Sequence, residues 1–169
     1  MIYKFLKNIF FVSSFLFYLT TYSLSEINSK AWSYECSADK SRCITIIKKT
    51  IKNTDNKDQT LATAYFEMES SKQNKIVPVL YVKLPLSVDL RKKPAIIIDD
   101  KNLGSLDFTH CNAVDGCTTN VAIGDGVIDL FKKGKTITVV MGIYGSAKNI
   151  NIQFPLKNFS KSYAQLIKK

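Results

Sequence analysis

Few side chains in this 169-residue chain have types and spacing suited to chemistry, and four of them are cysteines. Cys36 and Cys43 enclose a six-residue insert, and Cys111 and Cys117 a five-residue one. Neither spacing matches the tight C-x2-4-C knuckle of a structural zinc site, and the chain has one histidine, His110, to complete a ligand set. Disulfides are the chemistry this set suits. Four cysteines allow three pairings, of which the local one, Cys36 with Cys43 and Cys111 with Cys117, is the simplest, because each pair flanks a turn-like insert. Closing loops this short stabilises by about 2–3 kcal/mol each on a chain-entropy argument. His110 precedes Cys111 at an expected strand end. With no G-x-S-x-G elbow to accompany it, it is expected to be structural or to face solvent. Asp99, Asp100 and Asp107 could form a carboxylate pair or hold a cation, yet their spacing is not that of a calcium loop and turns are rich in Asp. Gly124-Asp125-Gly126 is too short to cradle a phosphate. No catalytic residue, metal or cofactor is assigned from this inventory.

The charged residues are more informative about partners. The formal net charge is +10, with the excess mostly Lys, at Lys48, Lys49, Lys52 and Lys57, at Lys132, Lys133 and Lys135, and at Lys168 and Lys169. Such a surface is soluble and attracts anionic envelope lipid, polysaccharide or an acidic protein. Nucleic acid is not expected, since the basic clusters lack interleaved aromatics or a recognisable motif. The densest cluster is Arg91-Lys92-Lys93, followed by Pro94. It lies between two expected strands, so its backbone is held while its cations project into solvent, which makes it the candidate binding surface.

Lys4 and Lys7 precede an apolar run from Ile9 to Leu19, and small residues follow at Ser23 and Ser25. This pattern predicts a signal peptide over residues 1–25 with cleavage after Ser25. The run is too short to span a bilayer as a retained helix, which takes about 20 apolar residues. Losing Lys4 and Lys7 lowers the net charge from +10 to +8, and 169 less 25 leaves 144 residues, 26–169, as one domain. Export to the periplasm or cell surface puts the cysteines where disulfides persist. The compartment also argues against nucleic acid.

These residues must be positioned by strands. Ile76 to Leu84 is apolar at both alternating sets of positions, as in a strand buried on both faces, and Pro85 ends it because it has no N–H to donate. Leu86 and Leu90 resume an apolar segment, and Ala95 to Ile98 is β-branched enough to form the next strand. Asp99, Asp100, Lys101, Asn102 and Gly104 then read as a turn. Upstream, pairing Cys36 with Cys43 sets Tyr34 opposite Thr45 and Trp32 opposite Ile47, the register of an N-terminal hairpin. Leu61 to Met68 follows with Ala62, Ala64, Phe66 and Met68 inward. Downstream, Thr118 to Ile123 is a strand and Gly124-Asp125-Gly126 a turn. Val127, Ile128, Leu130 and Phe131 line a short helix that Lys132, Lys133 and Gly134 end. Ile137, Val139, Met141 and Ile143 make one strand face and Ile150, Ile152 and Phe154 another. Phe159 to Ile167 closes the chain as a helix capped by Ser160, with Tyr163, Leu166 and Ile167 toward the sheet. The fold class predicted is mainly β, a single-domain β-sandwich of short strands with one or two short helices and two local disulfides.

Taken in order, Trp32-x3-Cys36, Cys43, Leu84-Pro85-Leu86-Ser87-Val88-x-Leu90, Ile98-Asp99, Phe108-x2-Cys111 with Gly116-Cys117, and Pro155-Leu156-x-Asn158-Phe159 with Ala164 resemble the invasion-associated locus B family of exported bacterial proteins. That family usually has Gly where this chain has Ser87, Asn158 and the Lys92-Lys93 turn. The resemblance implies a small disulfide-bonded β-sandwich in the periplasm or at the cell surface, linked in some pathogens to host-cell invasion. It carries no catalytic residues to transfer. A non-enzymatic envelope or adhesion-type binding protein is therefore the functional expectation, with a periplasmic enzyme or enzyme inhibitor as the alternative.

Overall fold

Alternating apolar positions build ten antiparallel strands over the residues that the computed structural model describes, 31–168. The expected signal peptide lies outside them. The chain runs β1 (Ser33–Cys36), β2 (Cys43–Lys52), β3 (Asp58–Ser70), β4 (Ile76–Leu84), β5 (Ala95–Ile98), β6 (Lys101–Ser105), β7 (Phe108–Asn112) and β8 (Gly116–Ala122). Helix α1 (Asp125–Lys133), β9 (Thr136–Gly142), β10 (Asn149–Pro155) and α2 (Phe159–Leu166) complete it. A six-stranded sheet has the order β1-β2-β3-β4-β8-β7, and a four-stranded sheet the order β10-β9-β5-β6. The segment from β4 to β5 crosses from the larger sheet to the smaller.

One core fills the space between the sheets. Ile47, Ala64, Phe66, Leu80 and Val82 face it from the larger sheet, and Ile96, Ile98, Ile137, Val139, Met141, Ile152 and Phe154 from the smaller. Trp32, Phe131, Phe159 and Tyr163 close it on the helix side; the Phe66 ring lies 5.0 Å from Phe131 and 5.4 Å from Phe159 in edge-on contacts. Edge-to-face geometry sets the positive rim of one ring against the negative face of the next, adding to what burial alone contributes. The Thr45 hydroxyl, buried beneath this cluster, donates to Ser162 Oγ at 2.6 Å, and Ser162 in turn donates to the Asn158 carbonyl at 3.1 Å. That chain ties α2 to β2.

The N-terminal hairpin has the predicted register, Cys36 opposite Cys43 and Tyr34 opposite Thr45, and both local disulfides are formed. Trp32 lies just before β1 and is bound instead to the segment before α2, its backbone N–H donating to the Lys157 carbonyl at 3.0 Å. Four expectations are corrected. The turn after β5 is only Asp99-Asp100, and Lys101 to Ser105 form β6, with a bulge opposite Ile96 and Ile97 where Gly104 takes positive φ. Asp125 and Gly126 belong to α1, so the preceding turn is shorter than expected. The cap of α2 is Asn158, in the left-handed region at φ 68°, while Ser160 bonds the Lys132 carbonyl. Ile76, Ile150 and Ile167 are exposed, each at an element end where alternation continues past the edge of the opposing sheet or helix.

Candidate functional site

The crossover from β4 to β5 is the least regular backbone near the predicted basic turn, and it is pinned along its length. Pro85 ends β4; the Asp89 N–H donates to the Gly142 carbonyl at 2.9 Å, and the Tyr144 N–H to the Ser87 carbonyl at 2.9 Å. Val88 is buried and bridges to Ile143. Because Val88 points inward from a segment that is not a ladder strand, its neighbours Leu86 and Leu90 point out, 55% and 58% exposed. The expectation of a continuing apolar segment fails here, since a crossover between sheets has only one side to bury.

Each cation of the basic turn has a partner, which corrects the picture of three cations projecting freely. Arg91 grips Asp89 with two parallel bonds, Nε to Oδ1 at 2.8 Å and Nη2 to Oδ2 at 2.9 Å, and its guanidinium lies 5.7 Å from the centre of the Tyr144 ring. Asp89 is only 2% exposed although it sits at the rim of the fold, and the bonds from Arg91 hold its carboxyl down at about 2. Lys92 lays its stem over Gly142, where an added Cβ would stand 2.6 Å from Lys92 Cδ, and its ammonium donates to the Ser146 carbonyl at 3.4 Å. Lys93 pairs with Asp107 at 2.6 Å, both exposed.

Beside this turn, Leu86, Leu90, Arg91, Tyr144 and the Cys111–Cys117 disulfide line an open groove of about 680 Å3. Leu86 also borders a second hollow, of about 520 Å3, with Ile51 and Val114. The β7–β8 turn that carries Val114 is fixed by Gly116, whose φ is +78° and whose Cβ, if present, would lie 2.2 Å from the Leu84 carbonyl oxygen. Only glycine fits so close an approach.

The other chemistry-bearing residues are not brought together. His110 is exposed on β7, its Nδ1 3.3 Å from Thr109 Oγ1. Asp99 caps the junction of β5 and β9, accepting from the Lys135 and Thr136 N–H groups at 3.1 and 3.0 Å. Asp100 is exposed beside it, whereas Asp107 is at the far end of the β5–β6 hairpin with Lys93. Among the described residues no three side chains of metal-ligating type form a group.

A family model described as invasion associated locus B (IalB) protein matches residues 32–167. The chain belongs to the IalB family. The crystal structure of invasion associated protein B from Bartonella henselae superposes with a TM-score of 0.66, covering 81% of this chain and 92% of that one at 17% identity, a likeness of fold. No curated protein matches the sequence. Against the glycines usual in IalB proteins, Asn158 keeps the left-handed backbone, which Asn tolerates better than most residues, whereas Ser87, Lys92 and Lys93 have negative φ and need no glycine.

Sequence reasoning missed Asp89 and Tyr144. Asp89-x-Arg91 is the spacing at which a turn carboxylate also accepts the backbone N–H two residues on, here at 3.2 Å, and that signal was available. Tyr144 had none, because its place beside Arg91 depends on a contact between distant loops.

Proposed function

We propose that this IalB-family protein is an exported, non-enzymatic binding protein of the cell envelope or cell surface that meets an acidic partner at the corner holding Arg91, Lys92 and Lys93. The observation that carries the reading is that two of these cations are held in place beside an apolar groove, Arg91 by a covered carboxylate and Lys92 by its packing over Gly142. Cations already fixed lose less freedom when they meet an anion, and a pinned loop keeps its shape on binding. Linkage of the family to invasion fits a surface role, and the chain's own excess of Lys favours approach to anionic surfaces.

The test is binding of the exported protein to anionic envelope fractions, comparing parent with the Lys92→Gln/Lys93→Gln double variant. Arg91 is left in place because removing it would strand Asp89. Weaker binding by the variant, and weaker binding of the parent as salt rises, are the expected results. Binding unchanged in both respects moves the interface elsewhere. N-terminal sequencing of protein recovered outside the cytoplasm should begin at Glu26.

A further inference from the structure

The corner that carries the basic turn also carries the most exposed large apolar side chains outside strands and helices among the described residues. Val114 is 93% exposed and Tyr144 74%, with Leu86 and Leu90 beside them. They stand on three separate segments: the β4–β5 crossover, the β7–β8 turn and the β9–β10 loop. The register shows that these share one end of the molecule. Leu84 lies opposite Cys117 in the larger sheet, Gly142 opposite Asn149 in the smaller, and Val88 is bridged to Ile143 between them. None of the three segments is free to fold its apolar tip inward, because each is fixed, by Gly116 against Leu84, by Val88 against Ile143, and by Tyr144 N–H against Ser87.

We propose that this end docks on an anionic lipid bilayer, with Leu86, Leu90, Val114 and Tyr144 entering the headgroup and acyl boundary. This rests on the acidic-partner reading above and names the partner. Charge complementarity favours an anionic occupant: Asp89, Asp107 and Asp115 are each neutralised by their own cation, Arg91, Lys93 and Lys83, whereas Lys92 and Lys148 have no carboxylate partner among the described residues. Shape favours a bilayer. Tips that protrude from separate loops need a partner with matching pockets if it is a protein, but lipid adapts to them. Tyr suits the interface because its ring is apolar and its hydroxyl wet. Lys92, its stem against Gly142 and its ammonium at the Ser146 carbonyl, adds an exposed cation to the same corner. One bilayer contact of this kind is weak and reversible, so both apolar entry and cationic attraction are needed for binding.

The experiment sediments the exported protein with vesicles of phosphatidylglycerol mixed equally with phosphatidylcholine, and with phosphatidylcholine alone. Binding to the anionic vesicles only, weakened by salt, is expected. The Leu86→Ser/Leu90→Ser/Tyr144→Ser variant, whose changes are all at exposed positions, should keep its circular dichroism and lose roughly tenfold or more in partitioning, since each change removes apolar surface from the contact. A Leu90→Trp variant reports insertion directly, because Trp32 is fully buried and should stay silent. Its emission should shift to the blue on anionic vesicles and be quenched by brominated acyl chains. The inference is overturned if the triple variant sediments like the parent or the new tryptophan is not quenched. If envelope fractions bind in a Lys92- and Lys93-dependent way while pure lipid vesicles do not, the bilayer is wrong and the acidic-partner reading stands; if neither binds, both fall.

Discussion

The same device, a disulfide clipping an edge strand to its neighbour, appears at two diagonally opposite corners of the six-stranded sheet and sits in different surroundings. Cys36–Cys43 joins edge strand β1 to β2 at the end where Ile44, Glu67, Val79 and Ala122 align, and Cys111–Cys117 joins edge strand β7 to β8 at the end marked by Leu84. In each pair the inner-strand cysteine is buried and the edge cysteine exposed. At the first corner β1 and β2 pack against α2, with Phe66 on the paired strand opposite Thr45, whereas the second corner lies against Leu86, Leu90 and Tyr144, which solvent reaches. An edge strand needs a restraint because its unpaired backbone invites other chains. Cys43 and Cys117 both belong to the core, and Cys36 also borders an open hollow, of about 390 Å3, so what the difference teaches is that like restraints frame unlike surfaces: one with Arg42, Lys48 and Lys83, the other with Leu86, Leu90 and Tyr144.

The largest expected effect breaks the first corner. Phe66→Ala removes a ring with no exposed surface that touches four other aromatic rings, and it should destabilise by about 3–5 kcal/mol in denaturant unfolding. Leu86→Ala at the second corner should change stability by less than about 0.5 kcal/mol, as exposed positions do. Equal losses would mean that the second corner is also core. Next come the disulfides themselves. Cys36→Ser/Cys43→Ser and Cys111→Ser/Cys117→Ser should each cost about 2–3 kcal/mol, because the loops are of similar length. Only the second pair of changes should alter anionic-vesicle binding, since only that disulfide lines the groove.

The asymmetry between corners explains what could be read from the chain. The first corner was visible because its signals are local and periodic: Cys36 and Cys43 fix a register, and Phe66 sits in an alternating run whose inward set is the one buried. The β5 and β9 strands were visible for the same reason. The second corner is built from segments 84–94, 111–117 and 142–148, and what makes it a surface is how they meet. Arg91 could be found as a charge, but its hold on Asp89 makes it half structural, and the exposure of Leu86 and Leu90 follows from the crossover between sheets, which no periodicity marks. Asp99, Asp100 and Asp107 are close in sequence, yet the length of the β5–β6 hairpin separates Asp107 from the other two.

A smaller effect comes from acid. Asp89 in the folded protein is held at about 2 by Arg91, against an ordinary value near 3.8. A depressed carboxyl favours the folded state above the ordinary value, and that contribution is lost as pH falls through the folded one. The window is therefore about pH 4 down to pH 2. Asp39 is also held at about 2, by the Ser37 and Ser41 hydroxyls in the β1–β2 turn, so each corner has one such group. Asp89→Asn should flatten part of the acid-induced loss of stability and Asp39→Asn another part. A profile unchanged by Asp89→Asn would show that the Arg91 bonds do not restrain the second corner in solution.

The smallest expected effect on folding is that of Lys93. Its partner Asp107 is as exposed as Lys93 itself, 76% against 60% at the side chain, so both ions keep most of their water in either state. Such pairs contribute between nothing and about 1 kcal/mol, and salt screens them. Lys93→Gln should therefore leave the denaturation midpoint within error of the parent. Arg91→Gln lies two positions away in the chain and should lower it measurably, because the carboxylate it abandons is covered and has no other cation bonded to it among the described residues. The contrast between these two variants separates the cation that holds the second corner together from the one that only lends it charge. If Lys93→Gln destabilised as much as Arg91→Gln, the exposed pair would have to be part of the scaffold, and charge at this corner could not be altered without altering its shape.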